Sequence, residues 1–345
     1  MQNAETLNQA IKGALNIIDQ DREREIISRR FGLSGHKETL EQIGDMLSIT
    51  RERVRQLEKA ILIRLRIASS ENRIAELASA EKVITRNLTE MGRIARISDL
   101  ATRIYNREVT PAERAGLAFL GDISSTLTIV DESDKYHSAI GIESYGDEKS
   151  IKKKVDAIVD AIKTEKLPMT TDQLDEKLSG YEHPSHIEAV AGISKFLATL
   201  GGLWGLAKWP AVNPKNIRDK IFVVLEDHKE PMHFADIARA IANSSFRRKD
   251  VTVQAIHNEL IKDPRFVLIG RGIYALDSWG YTKGTVADMI DKILRESSEP
   301  LTREEVVRRI LKIRKVKETT ILLNLQNKHL FTRTGKNTYT IKTQA

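Results

Sequence analysis

The chain has 345 residues, 41% of them hydrophobic, 30% charged and 5% aromatic, which is more than one small core accommodates. With no cysteine there are no disulfides and no thiolate metal site, and no apolar run approaches the roughly 18 residues of a membrane span. A net charge of +7 and a pI of about 9.3 favour a polyanionic partner.

The opening MQNAETLNQAIKGALNIID reads as an amphipathic helix with acidic residues. It lacks the basic start and unbroken apolar stretch of a signal peptide, so a soluble, cytoplasmic protein is expected. Next, TLEQIGDMLSI spaces Leu40, Ile43 and Leu47 for one face of a short helix. Gly44 sits where two helices cross closely, and Ser48 and Ile49 form a turn. The stretch TRERVRQLEKAILIRLR, residues 50–66, then places Val54, Leu57, Ile61 and Leu65 on a buried stripe. Thr50 is the expected N-cap. Glu52, Arg55, Gln56 and Lys59 fall on the opposite side, with Arg51 at the N-terminal shoulder.

Helix, tight turn and helix make a helix-turn-helix pattern. Arg pairs with guanine, Gln with adenine, and Glu accepts from cytosine, so this face suits the major groove. Arg53, Lys59 and Arg64 or Arg66 are placed to reach phosphates. From periodicity alone, a solvated face laced with i,i+4 ion pairs fits equally well.

The order of residues goes further. DREREIISRRFGLSGHKETLEQIGDMLSITRERVRQLEKAILIRLR resembles region 4 of bacterial sigma-70-type sigma factors over about residues 10–68. The RFGL step, the TLEQIG helix and TRERVRQLEKA occur in that family's order and spacing. The resemblance implies that the second helix enters the major groove of a promoter −35 element. It would place Arg51, Glu52, Arg55 and Gln56 at bases and nearby phosphates, and Thr39 and Leu40 beside the DNA backbone. It also implies double-stranded DNA and RNA polymerase, through its β flap, as partners. Only a short lead-in helix precedes this region, so promoter opening by this chain alone is not expected.

The remainder repeats. LPMTTDQLDEKL (167–178), EPMHFADIARAI (230–241) and EPLTREEVVRRI (299–310) align, with IARISDLATRI (94–104) a weaker copy. Leu100, Leu174, Ile237 and Val306 correspond, as do Ile104, Leu178, Ile241 and Ile310. Each copy ends in apolar alternation around a Gly- or Asp-rich turn, the pattern of a β-hairpin. Three helices and a hairpin in about 65–70 residues make a winged helix, a unit whose repetition marks an array.

The expected fold is therefore mainly α with small β-hairpins: a helix-turn-helix domain (1–70) and four tandem winged-helix domains, at 71–146, 147–214, 215–281 and 282–345. The terminal aromatics Trp209 and Trp279 are candidates for wing packing or for mortar between neighbours. The third unit, about 217–281, resembles the HARE-HTH domain of the polymerase δ subunit, chromatin regulators and some restriction systems. The segment RRILKIRKVK (308–317) has six basic residues and no acid. Arg308, Arg309, Lys312, Arg314, Lys315 and Lys317 form a second basic patch suited to phosphates. HIEAVAGISKFLATL, the third helix of the second unit, is apolar and suits protein contact.

No catalytic or metal site is expected, and no cofactor. GRGIYA (270–275) mimics a dinucleotide fingerprint but lies in a hairpin turn without a following helix. His183 and His186 have no carboxylate cluster to complete a metal site. The expected function is DNA-binding transcription regulation. A polymerase-binding protein that competes with sigma for the flap, and a DNA-recognition accessory of a restriction system, stay open as alternatives.

Overall fold

The computed structural model describes residues 2–246, 250–281, 284–297, 299–313 and 316–342. The molecule is mainly helical with small antiparallel sheets, and it clusters into two compact units, one running through Lys208 and one from Trp209 onward.

The first unit opens with α1 (Gln2–Asn16), α2 (Asp21–Phe31), α3 (Leu40–Leu47) and α4 (Arg51–Ser70). A module follows in the order α5 (Leu77–Glu90), β1 (Ile94–Arg96), α6 (Ile97–Tyr105), α7 (Pro111–Ile123), β2 (Leu127–Val130) and β3 (Ala139–Ile142). The same order recurs as α8 (Glu148–Glu165), β4 (Met169–Thr170), α9 (Thr171–Lys177), α10 (Pro184–Gly192), β5 (Leu197–Leu200) and β6 (Leu203–Leu206). The second unit repeats it twice. The first copy is α11 (Ile217–His228), β7 (Met232–His233), α12 (Phe234–Asn243), α13 (Val253–Lys262), β8 (Phe266–Gly270) and β9 (Ile273–Leu276). The second is α14 (Val286–Arg295), β10 (Leu301–Thr302), α15 (Arg303–Ile313), α16 (Glu318–Leu325), β11 (Phe331–Gly335) and β12 (Thr338–Ile341).

The sequence led us to expect a two-stranded hairpin per module, but each sheet has three strands. The short strand before the second helix pairs with the last strand of the hairpin, giving the orders β1-β3-β2, β4-β6-β5, β7-β9-β8 and β10-β12-β11. The registers coincide: Met169 faces Trp204, Met232 faces Tyr274 and Leu301 faces Tyr339. A strand of two or three residues is too short to show alternation, so only its distant partner reveals it. The repeat positions Leu100, Leu174, Ile237 and Val306 are all fully buried, because the second helix of each module turns that stripe onto its own core.

In the first unit one core runs through residues on both sides of position 70. Ile61, Leu65 and Ala68 of α4 share it with Leu7 of α1, Ile84 of α5 and Phe119 of α7. Phe31 of α2 meets Phe119 edge-on at 5.1 Å between ring centroids, a favoured aromatic geometry. The third helix of the first module, α7, is therefore covered by α1, α2 and α4.

The third helix of the second module, α10, lies against β1. Arg96 Nε donates to the Gly192 carbonyl, His137 N–H donates to the Ile193 carbonyl at 2.8 Å, and Arg93 pairs with Glu182 at 2.9 Å. Tyr145, just beyond β3, presents its ring edge-on to His186 at 5.4 Å, and burial pushes its hydroxyl up to about 12. In the second unit Trp279 packs on Val267, Ile269 and Ala275 of its own module. Among the described residues no helix is long and apolar enough to cross a membrane.

Candidate nucleic-acid interface

The pair α3–α4 is assembled locally. Thr39 caps α3 reciprocally with Gln42: its hydroxyl accepts from Gln42 N–H at 3.2 Å, and Gln42 Oε1 accepts from Thr39 N–H at 2.9 Å. Ser48 adopts the left-handed region at φ 54°, and Ile49 N–H closes on the Gly44 carbonyl at 2.9 Å. A Cβ on Gly44 would lie 2.7 Å from the Ile49 carbonyl oxygen. The glycine thus lets the turn and the start of α4, with Arg51 N 3.3 Å from that Cβ, come close against α3. Thr50 caps α4 by accepting from Arg53 N–H at 3.2 Å. Ile26, Ile43 and Val54 are fully buried between α2, α3 and α4, with Leu40, Leu47 and Leu57 packed around them.

The first two turns of α4 carry Arg51, Glu52, Arg53, Arg55, Gln56 and Lys59, all exposed. Arg55 grips Glu52 with Nη2 at 2.6 Å and Nε at 2.9 Å, and Gln56 Nε2 donates to the same carboxylate at 3.3 Å. The Arg55 hydrogen bonds hold the Glu52 carboxyl down to about 2, against burial that opposes them. Arg51 and Lys59 have no ion pair or side-chain hydrogen bond among the described residues. The face therefore offers two uncommitted cations flanking an ordered Glu–Arg–Gln cluster. Thr39 and Thr50 cap the two helices with their hydroxyls and stay exposed, and the Leu40 side chain is half-buried.

Arg64 and Arg66, expected at phosphates, are held elsewhere. Arg64 pairs with Glu23 of α2, and Arg66 pairs with Asp122 of α7. Each partner is tens of residues away along the chain, so periodicity within α4 gave no sign of it. Arg30 likewise bonds Glu58 at 3.1 Å and the Glu38 carbonyl at 2.9 Å, fixing α2 to α4.

The second patch changes character. Arg308 and Arg309 both clasp Glu305, at 2.8 and 2.7 Å, and draw its carboxyl down to about 2. The run therefore is not unpaired: its acid stands one helical turn upstream of the window that looked purely basic. Lys312 is exposed on α15, and Lys317 is the exposed N-cap of α16. Arg314 and Lys315 lie outside the described residues. Elsewhere, His183 caps α10 by accepting from Ser185 N–H at 3.1 Å, and His186 is buried. Gly272 of GRGIYA turns the β8–β9 hairpin at φ 68°. Among the described residues no three His, Asp or Glu side chains gather as a metal-binding group.

A capped helix, a left-handed turn and a second capped helix with an exposed basic and amide-bearing start define a DNA-binding helix-turn-helix module. The family Sigma-70, region 4 matches residues 20–66, spanning α2, α3 and most of α4. Modules of that family bind DNA and associate with RNA polymerase.

Proposed function

We propose that the protein is a cytoplasmic transcription regulator that reads a −35-like promoter element with α4 and contacts RNA polymerase. Its four sheet-bearing modules are read as tandem winged helices, at 71–146, 147–214, 215–281 and 282–345, the third of the HARE-HTH type. Its action is binding and positioning, without covalent chemistry. The observation that carries this reading is the exposed row from Arg51 to Lys59 on a module matched to a DNA-binding family. In this reading Arg51 and Arg55 address guanine or phosphate, Gln56 adenine and Glu52 cytosine. Arg53 and Lys59 hold the backbone.

Equilibrium binding to a −35-like hexamer duplex and to a scrambled duplex, across salt, tests it. A preference for the hexamer that disappears when Arg51, Arg55 and Gln56 become Ala is the expected result. Equal binding to both duplexes would overturn it. One observation favours a second reading: Arg55 and Gln56 are already engaged by Glu52. If the wild type shows no preference for the hexamer but still binds polymerase, competition with sigma for the flap becomes the function.

A further inference from the structure

The charge of this protein is not spread over its modules. Residues 282–345 hold fourteen Lys and Arg against seven Asp and Glu, and the other 281 residues hold 41 of each. The whole net charge of +7 therefore resides in the last module. Within it no Asp or Glu follows Glu318. The loop after α16 and the β11–β12 hairpin then present Lys328, Arg333, Lys336 and Lys342 without a carboxylate of their own.

Local geometry sorts these cations from the others. Arg303 and Arg308 pair with Glu304 and Glu305, Arg309 shares Glu305, and Arg295 pairs with Asp291 at 2.6 Å. Lys317, Lys328 and Lys336 are exposed and have no ion pair among the described residues. Arg333 is held on the hairpin by its bonds to the Gly335 carbonyl at 3.0 Å and to Asn337 Oδ1 at 3.3 Å. The β11 strand is exposed along all but its first residue. Thr319 and Thr320 add exposed hydroxyls to the first turn of α16. The third helices of the first two modules, by contrast, are covered by neighbouring elements of their own unit.

We propose that the last module grips duplex DNA by its phosphates, independently of sequence, through Lys317, Lys328, Arg333 and Lys336. The paired arginines of α15 do not take part. The protein is then a two-point DNA binder: α4 reads bases, and the last module supplies sequence-independent affinity. This deepens the DNA-binding reading above, on which only the choice of duplex rests.

The test uses the full chain and a labelled duplex of scrambled sequence, with binding measured across a salt series. Counterion release contributes a slope of about −0.9 per phosphate contact in a log–log plot. Changing Lys317, Lys328, Arg333 and Lys336 to Ala should flatten the slope by about 3.6 and weaken low-salt binding by about tenfold or more. The preference for the hexamer should be unchanged. The variant with Lys317, Lys328 and Lys336 changed to Arg should keep the slope, which separates charge from folding. Arg308→Ala with Arg309→Ala should leave it nearly intact.

An unchanged slope in the four-site variant, or an equal loss in the Arg308/Arg309 variant, would overturn the proposal. So would a single-stranded RNA competitor that displaces the duplex at lower concentration than duplex DNA does. Absence of hexamer preference in the wild type, with the four-site flattening intact, would remove the promoter reading and leave this one standing.

Discussion

Arg66 of α4 bonds to Asp122, the penultimate residue of α7: Nε donates to the Asp122 carbonyl at 2.8 Å, and Nη2 meets the carboxylate. A cation at the C-terminal end of a helix also complements that helix's dipole. The helix that carries the exposed row from Arg51 to Lys59 is thereby tied to the sheet module that follows it in sequence. Because Arg66 is half-exposed, the pair contributes at most about 1 kcal/mol. We expect Arg64→Ala and Arg66→Ala to lower stability by no more than that and to leave the salt slope of DNA binding unchanged. A slope that flattens by about 1 for each substitution would assign these arginines to phosphates after all.

The turn between α3 and α4 has no room at Gly44, where a Cβ would sit 2.7 Å from the Ile49 backbone oxygen. Backbone cannot rotate aside as a side-chain tip does. Gly44→Val should therefore cost about 1–3 kcal/mol and splay the two helices. Chemical denaturation measures the cost. Loss of hexamer preference with the sequence-independent binding retained is the expected functional signature.

Acid should loosen the Glu52–Arg55 cluster in a defined window. Arg55 holds the Glu52 carboxyl at about 2, below its ordinary 4.5. A depressed carboxylate stabilises the folded state above its unfolded value and loses that contribution as pH falls toward the folded value. The stabilisation is thus fully present above about pH 5 and fades between there and about pH 2, where the folded carboxyl itself takes up a proton and the ion pair is lost. Following the Glu52 carboxyl by NMR should show its midpoint return toward 4.5 in Arg55→Ala. A midpoint that stays near 2 in that variant would mean that Arg55 is not the cause.

The joint between the first two modules depends on Gly92, which has a φ of +90°. A Cβ there would lie 2.5 Å from the Ser185 carbonyl and 2.7 Å from the Ala189 side chain. Gly92→Ala combines backbone strain with a collision against α10. Hydrogen exchange should quicken in α10 and β1 and stay unchanged in α3. Equal protection in α10 before and after the substitution would show that the joint does not rely on this close approach.

Much of the helix-turn-helix could be read without coordinates, and particular residues show why. Val54, Ile61 and Leu65 recur at helical spacing and are fully buried, while Thr50 precedes the first helical residue and caps it. These are short-range relations, set by 3.6 residues per turn and by one unsatisfied N–H. The third strand of each sheet was not legible, since Met169 pairs with Trp204 across two intervening helices. The commitment of Arg308 and Arg309 to Glu305 is, by contrast, a short-range relation, three and four residues apart on one helix.

The start of α4 at Thr50, its buried stripe and the polar row opposite follow from residue order alone. Residue order also places the net positive charge at the far end of the chain. Which cations of α4 remain available depends on the packing of distant elements. Arg64 and Arg66 are joined to Glu23 and Asp122, while Arg51 and Lys59 are left facing outward. The reason is physical: periodicity depends on neighbours within a turn or two, whereas an ion pair depends on which distant carboxylate the packed core brings within about 4 Å.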